Sequence, residues 1–309
     1  MTSTIPKDEL ETALEGASME NKTLIIAVAN KACTKEGSLL DLLLQSFQVG
    51  EGTQLLHNHL LLAAIDQTAF EQCNLRGLHC YKLMTEGVDF SGESIFMSRD
   101  YLKITWMKTL FQANVLRRGY NFIFTDMDVI WMRNPFERLV HQGVDLQISC
   151  DYYNGNPSDL ANHINTGFYF VVSNNKTISM FDKWCSDRDD SLNLHDQHML
   201  QRLIENGLIQ RLDLRLRFLN PLYFGGFCAN GGDYGKVVTM HANCCVTIDA
   251  KTRDLRAILD GWIKFKGQSN ATSTVQWPDH SNCIRSWSID HNRMSSSSNH
   301  TLTTSNHTS

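Results

Sequence analysis

The sequence predicts an α/β protein with a mostly parallel central sheet that carries helices on both faces. Short apolar runs, of which residues 23–29 are the first, have the length and composition of buried parallel strands. Segments of helical length alternate with these runs, as expected for parallel strands joined by helices. The chain has 309 residues, of which 42% are hydrophobic, so it can bury a substantial core.

The first half of the chain shows this alternation most clearly. Ser38 is a suitable N-cap for one helix, and Gly119 is a suitable terminator for the long helix before it, which has a broad apolar stripe. The predicted elements are strand 23–29, helix 38–47, a strand within 55–65, helix 68–76, strand 79–84, helix 98–118 and strand 121–125.

The second half is less regular, and it contains neither an internal repeat nor a change of composition that would divide it. The predicted elements are a short helix 136–140, strands 145–150 and 167–172, helices 177–185 and 195–206, a strand within 218–227, strand 237–240 and helix 249–265. We therefore expect one domain over residues 22–267. Residues 1–21 are predicted to be a disordered leader, and residues 268–309 a low-complexity tail rich in Ser, Thr and Asn.

Charge and hydropathy exclude two classes of protein. The net charge is -5, and the 28 Lys and Arg residues are scattered, so general nucleic-acid binding is not expected. No run approaches the roughly 20 apolar residues of a membrane span, and the polar first 20 residues lack the features of a signal peptide. From these two observations we expect the chain to be neither secreted nor anchored in a membrane.

The nine cysteines show no C-x-x-C spacing, so a structural zinc site is not expected, while disulfide pairing stays open. Five N-x-Ser/Thr sequons favour the secretory pathway, although three lie in the Ser/Thr/Asn-rich tail 268–309 and those near its end can be accidents of composition. The sequons begin at Asn21, Asn175, Asn270, Asn299 and Asn306.

Two carboxylates, Asp126 and Asp128, follow directly on the apolar strand 121–125. Ligands bind at the carboxyl ends of the strands in sheets of this kind. Hard oxygen ligands beside open coordination positions suit Mn²⁺ or Mg²⁺ carrying a diphosphate. The plainer alternative is that the two residues merely cap a loop.

Two further strands place polar residues at the same kind of position. His241 follows the apolar run 237–240 and is a candidate third metal ligand, the alternative being a packed or solvated histidine. Asn165 and Gly167 lie at the mouth of another strand, where an amide can bond a sugar hydroxyl and a glycine allows close approach of a ligand. An ordinary turn is equally consistent with that pair.

Asp196 and Gln197 open a helix. They are candidates for stabilising positive charge at a reacting centre, although a carboxylate in a first helical turn is also favoured by the helix dipole alone. Lys108 and Lys251 are candidates for neutralising a diphosphate, the alternative being solvated surface charge. Trp106, Trp131 and Trp184 are predicted to be core residues.

Together these motifs resemble a known family, the plant nucleotide-diphospho-sugar transferases of glycosyltransferase family 77. The resemblance covers nearly all of 22–267, and four motifs occur in the family's order: 98–137, with a Lys-bearing helix before the D-x-D pair, Asn165-Thr166-Gly167, His195-Asp196-Gln197 and 241–245. It implies a GT-A (Rossmann-like) fold and retaining transfer from a UDP-sugar, with Mn²⁺ or Mg²⁺ as cofactor. A glycan or a cell-wall glycoprotein is the implied acceptor.

The resemblance also implies roles for individual residues. Asp126, nearer the ribose, and Asp128 are the D-x-D pair, and His241 is the C-terminal metal ligand. Donor binding falls to the segment from Ala27 to Asn30 for the uracil, Asn165 and Gly167 for the sugar, and Lys108 and Lys251 for the diphosphate, with Asp196 and Gln197 near the anomeric carbon. Val246-Thr247 stands where related enzymes often have a glycine, which leaves the role of Lys251 open.

The family implies the Golgi lumen, although its members are usually membrane-anchored and this sequence shows no anchor; without one, the cytoplasm is the alternative. Two other functions stay open from the sequence. One is a metal-dependent nucleotidyltransferase or phosphohydrolase, which usually needs a second carboxylate cluster. The other is a catalytically silent protein that binds sugar nucleotides. The donor sugar is not determined.

Overall fold

The computed structural model describes residues 7–83, 92, 99–188, 194–228, 232–268 and 275–287. Its strands are β1 (Thr23–Ala29), β2 (Leu60–Ala64), β3 (His79–Lys82), β4 (Asn121–Thr125), β5 (Val129–Trp131), β6 (Leu146–Tyr152), β7 (His163–Val171), β8 (Leu216–Phe218), β9 (Phe224–Gly226) and β10 (Thr239–His241). Its α-helices are α1 (Glu9–Ala17), α2 (Lys31–Thr34), α3 (Leu39–Val49), α4 (Gln67–Leu75), α5 (Arg99–Arg117), α6 (Asn175–Ser186), α7 (Asp196–Glu205), α8 (Leu208–Arg211), α9 (Ile248–Gly267) and α10 (281–287). Short 3₁₀ helices lie at Leu56–His59 and Pro135–Glu137.

The central sheet has the strand order β3-β2-β1-β4-β7-β6-β8 within the described residues. The pairs β3–β2, β2–β1, β1–β4 and β6–β8 are parallel, whereas β7 runs antiparallel to both β4 and β6. A smaller sheet, β5-β10-β9, lies beyond the end of β4. The predicted α/β class with a mostly parallel sheet is confirmed.

Helices cover both faces of the central sheet and bury a separate apolar cluster on each. One cluster includes Leu43 of α3 and Trp262 of α9, and the other includes Leu116 of α5 and Phe181 of α6. Alternate residues of β1 divide between the clusters: Ile25 and Ala27 belong to the first, Leu24 and Ile26 to the second. This sheet is therefore buried on both faces, which explains why its strands are continuous apolar runs.

The prediction that residues 1–21 are disordered is wrong for residues 9–17, which form α1. Asp8 caps this helix by accepting a hydrogen bond from Glu11 N at 2.8 Å, and Leu10 and Leu14 are buried. Arg118 then pairs with Asp8 at 2.6 Å. The short apolar stripe of α1 is insufficient for a helix in isolation, and its burial against the sheet supplies the stabilisation. Residues 1–6 lie outside the described part.

Three disulfides occur among the described residues: Cys73–Cys80, Cys228–Cys244 and Cys245–Cys283. The last joins α10, within the predicted tail, to the segment after β10. Residues 281–287 of that tail therefore form a helix that packs on the core, and the prediction of an unstructured tail is wrong for them. Residues 288–309 lie outside the described part. In the portion of the chain that is described, no helix is both long enough and apolar enough to cross a membrane.

Candidate functional site

The residues singled out from the sequence meet around one pocket of about 450 Å³. The pocket lies where β1, β4, β6 and β10 end and where α7 and α9 begin. Its wall contains Asp126, Asp128, Asn165, Gly167, Asp196, Gln197, His241, Lys108 and Lys251 together with Asn30. The carboxyl ends of β1 and β4 lie at one edge of the sheet because these strands are parallel, and the antiparallel β7 begins at the same edge.

Asp126, Asp128 and His241 offer ligand atoms that all lie within 4.8 Å of one another. His241 Nε2 is 3.3 Å from Asp128 Oδ1 and 3.9 Å from Asp126 Oδ2. Residues 126–128 form a turn directly after β4, and β5 then pairs antiparallel with β10, so that Val129 lies opposite His241. This pairing brings the histidine to the carboxylates. Two carboxylates and an imidazole suit a divalent cation such as Mn²⁺.

Lys251, in the first turn of α9, lies with its Nζ 2.7 Å from Asp128 Oδ2. Burial alone raises the pKa of Asp128, but the adjacent Lys251 ammonium and His241 outweigh it and lower that pKa below its usual range. Burial lowers the pKa of His241, and Asp128 reverses the effect, so that the net pKa is raised. Asp128 is therefore held as an anion, whereas burial raises the pKa of Asp126 above its ordinary value despite the nearby Lys108.

Asn165 orients the histidine. Asn165 Oδ1 is 3.1 Å from His241 Nδ1, and it also accepts from Gly167 N at 2.9 Å. A proton on Nδ1 that bonds this oxygen leaves the Nε2 lone pair facing the two carboxylates, which is the tautomer a metal ligand requires. Asn165 lines the pocket, and its side-chain oxygen also contacts His241, the candidate third metal ligand.

Gly167 is needed for packing beneath the same histidine. A Cβ at this position would lie 2.2 Å from His241 Cε1 and 2.9 Å from Asp126 Oδ2. Gly167 lies in an irregular stretch of β7, where the register with β6 shifts between Ile148 and Ser149. The glycine therefore admits the two ligand side chains, a role that differs from the predicted approach of a sugar to its backbone.

Lys108 of α5 is buried between the metal cluster and Asp196. Its Nζ lies 2.9 Å from Asp196 Oδ2 and 3.7 Å from Asp126 Oδ1. Burial raises the pKa of Asp196, but Lys108, followed by His195, more than offsets this and lowers that pKa to about 2. Lys108 is not a solvated surface lysine, and it links two parts of the site.

Asp151, the penultimate residue of β6, is a site residue that was not predicted from the sequence. Its Oδ1 accepts from Asn165 Nδ2 at 2.9 Å and Asn243 Nδ2 at 2.8 Å, and its Oδ2 accepts from Gln197 Nε2 at 2.9 Å. Gln197 Oε1 in turn accepts from Thr166 N at 3.1 Å. Asp151 follows the predicted strand 145–150 as Asp126 follows strand 121–125, a signal that could have identified it.

Ala27 does not line the pocket, so its assignment to the uracil site is corrected. It is fully buried in the middle of β1, and the pocket wall begins one residue later, at Val28. Asn30 does line the pocket: it caps α2, accepting from Cys33 N, and its Nδ2 donates to Gly92 O at 2.9 Å. Of β1, only the last two residues, Val28 and Ala29, line the pocket. Trp106, Trp131 and Trp184 are core residues, as predicted.

Comparison with known proteins shows the family. The sequence model described as nucleotide-diphospho-sugar transferase matches residues 55–255. An uncharacterised protein of Arabidopsis thaliana is 46% identical over 296 residues, which cover 94% of this chain and 88% of that protein. The beta-arabinofuranosyltransferase RAY1 of Arabidopsis thaliana is 28% identical over 230 residues, covering 73% of this chain and 37% of RAY1.

Among solved structures, a glycosyltransferase involved in glycosylation of the major capsid of the virus PBCV-1 superimposes with a TM-score of 0.46 at 12% identity. The superposition covers 76% of this chain and 98% of the viral protein.

Proposed function

Because the chain belongs to the nucleotide-diphospho-sugar transferase family, we propose that it is a metal-dependent retaining glycosyltransferase that moves a pentose or hexose from a UDP-sugar to a glycan or glycoprotein. The observation that carries the proposal is the convergence of Asp126, Asp128 and His241 within 4.8 Å in the wall of a pocket. Plant cell-wall biosynthesis is the proposed setting. Transfer of a pentose would agree with the activity stated in the name of RAY1.

The donor set fits Mn²⁺ or Mg²⁺, since both carboxylates supply hard oxygen atoms and the contact of His241 Nδ1 with Asn165 leaves Nε2 on the side of the carboxylates. The cation, when bound, would neutralise negative charge on the departing diphosphate. Lys251 is the proposed second cation for that charge. The ion pair with Asp128 holds the Lys251 ammonium beside the two aspartates and His241. When a cation binds Asp128, this ammonium would be released to pair with a phosphate oxygen.

The nucleoside is assigned to the ends of β1 and β2, where Val28, Asn30 and Ile65 line the pocket. The sugar is assigned to the opposite polar wall, made by Asp151, Asn165 and Gln197. The hydrogen bonds among these side chains hold them in one arrangement, so that a sugar hydroxyl meets preorganised partners. Gln112, behind this wall, bonds Tyr169 and keeps β7 against α5.

In the proposed reaction, the bond between the anomeric carbon and the diphosphate oxygen breaks, and its electron pair leaves with UDP. The acceptor hydroxyl forms the new bond on the same face of the sugar, and its proton passes to an oxygen of the departing phosphate. Asp196 and Gln197 are assigned to the positive charge that develops at the anomeric carbon. Lys108 lowers the pKa of Asp196 and so keeps this carboxylate ionised, and it fixes the position of Asp196 Oδ2. The negative charge of Asp196 therefore stays near the pocket.

The first test is titration of UDP with and without Mn²⁺, using the wild type and Asp128→Ala. We expect Mn²⁺ to strengthen UDP binding to the wild type and to have little effect on the variant. Asp182→Ala is a matched control, because Asp182 lies on α6 in an exposed ion pair with Arg117. UDP binding that is independent of Mn²⁺ and unchanged in Asp128→Ala would rule out the proposed metal-dependent UDP-sugar site.

The second test identifies the products across a panel of UDP-sugars. A transferase or its slow hydrolytic side reaction releases free UDP, whereas a nucleotidyltransferase transfers a nucleoside monophosphate. A silent binding protein releases neither product despite metal-dependent UDP binding. The same panel determines the donor sugar.

The proposed compartment is the Golgi lumen. The three disulfides support it, because such bonds persist in oxidising compartments and are rare in the cytosol. Mass spectrometry of the protein isolated from its own cells under alkylating conditions tests this assignment. Fully alkylated Cys73, Cys245 and Cys283 would contradict it.

A further inference from the structure

An exposed indole stands at the pocket wall on a part of the chain beyond the residues that match the family. Trp287, the last residue of α10, lines the same pocket as the metal cluster, and 39% of its surface is exposed. Trp106, Trp131 and Trp184, by contrast, are all buried in the core. An indole in the wall of a polar pocket offers a large flat apolar face to whatever enters.

The ring is held in one orientation. Its Nε1 donates to the carbonyl of Cys244 at 2.9 Å. This bond uses only the edge of the ring, so both faces remain available for stacking. Since the same hydrogen bond fixes the edge of the indole to the pocket wall, the ring is preorganised and loses little conformational entropy when a ligand binds.

The helix that carries Trp287 is itself anchored at several points. Cys283 forms the disulfide with Cys245 and donates its N–H to Asp254 Oδ2 at 2.7 Å. Ser286 Oγ accepts from Val246 N at 3.0 Å. The covalent bond and these two hydrogen bonds tie α10 to the segment 244–246 and to α9. These contacts fix the position of α10, and with it the position of the Trp287 indole, relative to the pocket.

The position of the indole favours the sugar side of the pocket. Cys244, which accepts the indole hydrogen bond, follows Asn243, and Asn243 Nδ2 donates to Asp151. Cys228, the disulfide partner of Cys244, donates its N–H to Asn243 Oδ1 at 3.1 Å. Trp287 is thus attached to the same wall as Asp151, whereas the nucleoside is assigned to the ends of β1 and β2.

We propose that the face of Trp287 is the platform on which the acceptor's sugar ring stacks, so that this residue helps to determine acceptor specificity. A sugar ring presents polarised C–H groups on one face, and these pack on the electron-rich face of an aromatic ring. The hydroxyl groups at the rim of the acceptor sugar remain free to meet the donor sugar, which is assigned to the wall made by Asp151, Asn165 and Gln197. This inference rests on the proposed glycosyl transfer and adds the location of the acceptor.

The test uses the full chain with Mg²⁺ and saturating UDP, and measures binding of simple glycosides by saturation-transfer NMR. The probes are methyl β-D-galactopyranoside, methyl β-D-xylopyranoside and methyl α-L-arabinofuranoside, which represent a hexose ring and two pentose rings. We expect the wild type to bind at least one of them. Trp287→Ala should weaken that binding roughly tenfold, equivalent to about 1.4 kcal/mol, and Trp287→Phe should retain part of it.

Ile284→Ala is the matched control, because Ile284 lies on the same helix with 59% of its surface exposed and is absent from the pocket wall. It should leave glycoside binding unchanged. UDP affinity, measured separately by calorimetry, should be the same in all variants.

Three results would overturn the proposal: no binding of any of the three glycosides by the wild type, equal loss in Ile284→Ala, or a Trp287→Ala variant that loses UDP affinity and keeps glycoside affinity. The last result would assign the indole to the nucleobase. Failure of the wild type to bind UDP in a metal-dependent manner would instead refute the proposed function, so that the two failures are distinguishable.

Discussion

Lys108 Nζ lies 2.9 Å from Asp196 Oδ2, and both side chains are almost completely buried. The same ammonium is 3.7 Å from Asp126 Oδ1. One lysine on α5 therefore connects the proposed metal ligands with the carboxylate assigned to the anomeric carbon. Because a buried charge is costly without its partner, this pair makes the site sensitive to either residue.

Lys108→Met should destabilise the fold strongly, since it leaves the Asp196 carboxylate buried without its cation. The expected loss in free energy of unfolding is about 3–5 kcal/mol, measured by urea denaturation. The double variant Lys108→Met/Asp196→Asn should recover part of that loss, because no uncompensated charge remains. Lys183→Met, in an exposed ion pair with Asp187, should change stability little. Additive losses in the double variant would show that the two side chains do not interact.

Acid should destabilise the wild type more than Asp196→Asn. The pKa of Asp196 is lowered from 3.8 to about 2, so its carboxylate stabilises the fold fully above pH 4, and this contribution is lost as the pH falls through about 2. Urea unfolding at pH 5 and pH 2.5 measures the loss in each protein. The wild type should lose up to about 2 kcal/mol more than the variant. Equal losses would contradict the lowered pKa.

Gly167→Ala should disrupt the metal cluster while the remainder of the fold is retained. The added Cβ would lie 2.2 Å from His241 Cε1, so the histidine must move away from the two carboxylates. We expect Mn²⁺-dependent UDP affinity to fall by at least about tenfold, with destabilisation of about 1–3 kcal/mol from overpacking. Gly267→Ala is the control, because a Cβ there meets nothing within 4 Å. Unchanged affinity in Gly167→Ala would show that His241 is not a ligand.

Removing the Cys245–Cys283 disulfide should cost more stability than removing Cys73–Cys80. The first spans 38 residues and the second 7, so the first constrains the unfolded chain more. The entropic difference is about 1.5 kcal/mol. Paired Cys→Ser variants, unfolded in urea under oxidising conditions, provide the comparison. A larger loss from the Cys73–Cys80 pair would indicate that native contacts around that bond outweigh chain entropy.

Local patterns were sufficient for most of the framework. The strand Asn121–Thr125 has the predicted bounds, because a short apolar run between a glycine and two aspartates leaves few alternatives. Helix ends shifted by a few residues, as for α6, which begins at Asn175 with its capping box at Asn174. The helix α1 was missed because its apolar residues are few, and burial against β2 and β3 stabilises it.

The sequence by itself determined most of the longer strands and helices and the identity of Asp126, Asp128 and His241 as a candidate group, since apolar runs and the polar residues that follow them are local features. It did not indicate the short elements β5, α2 and α8. Only the tertiary structure decided that Ala27 is core, that Asp151 joins Asn165, Gln197 and Asn243, that Gly167 makes room for His241, and that Trp287 reaches the pocket. Each of these facts depends on contacts between residues far apart in the chain, such as the 92 positions between Asp151 and Asn243. Sheet order and packing create such contacts, and no local pattern specifies them.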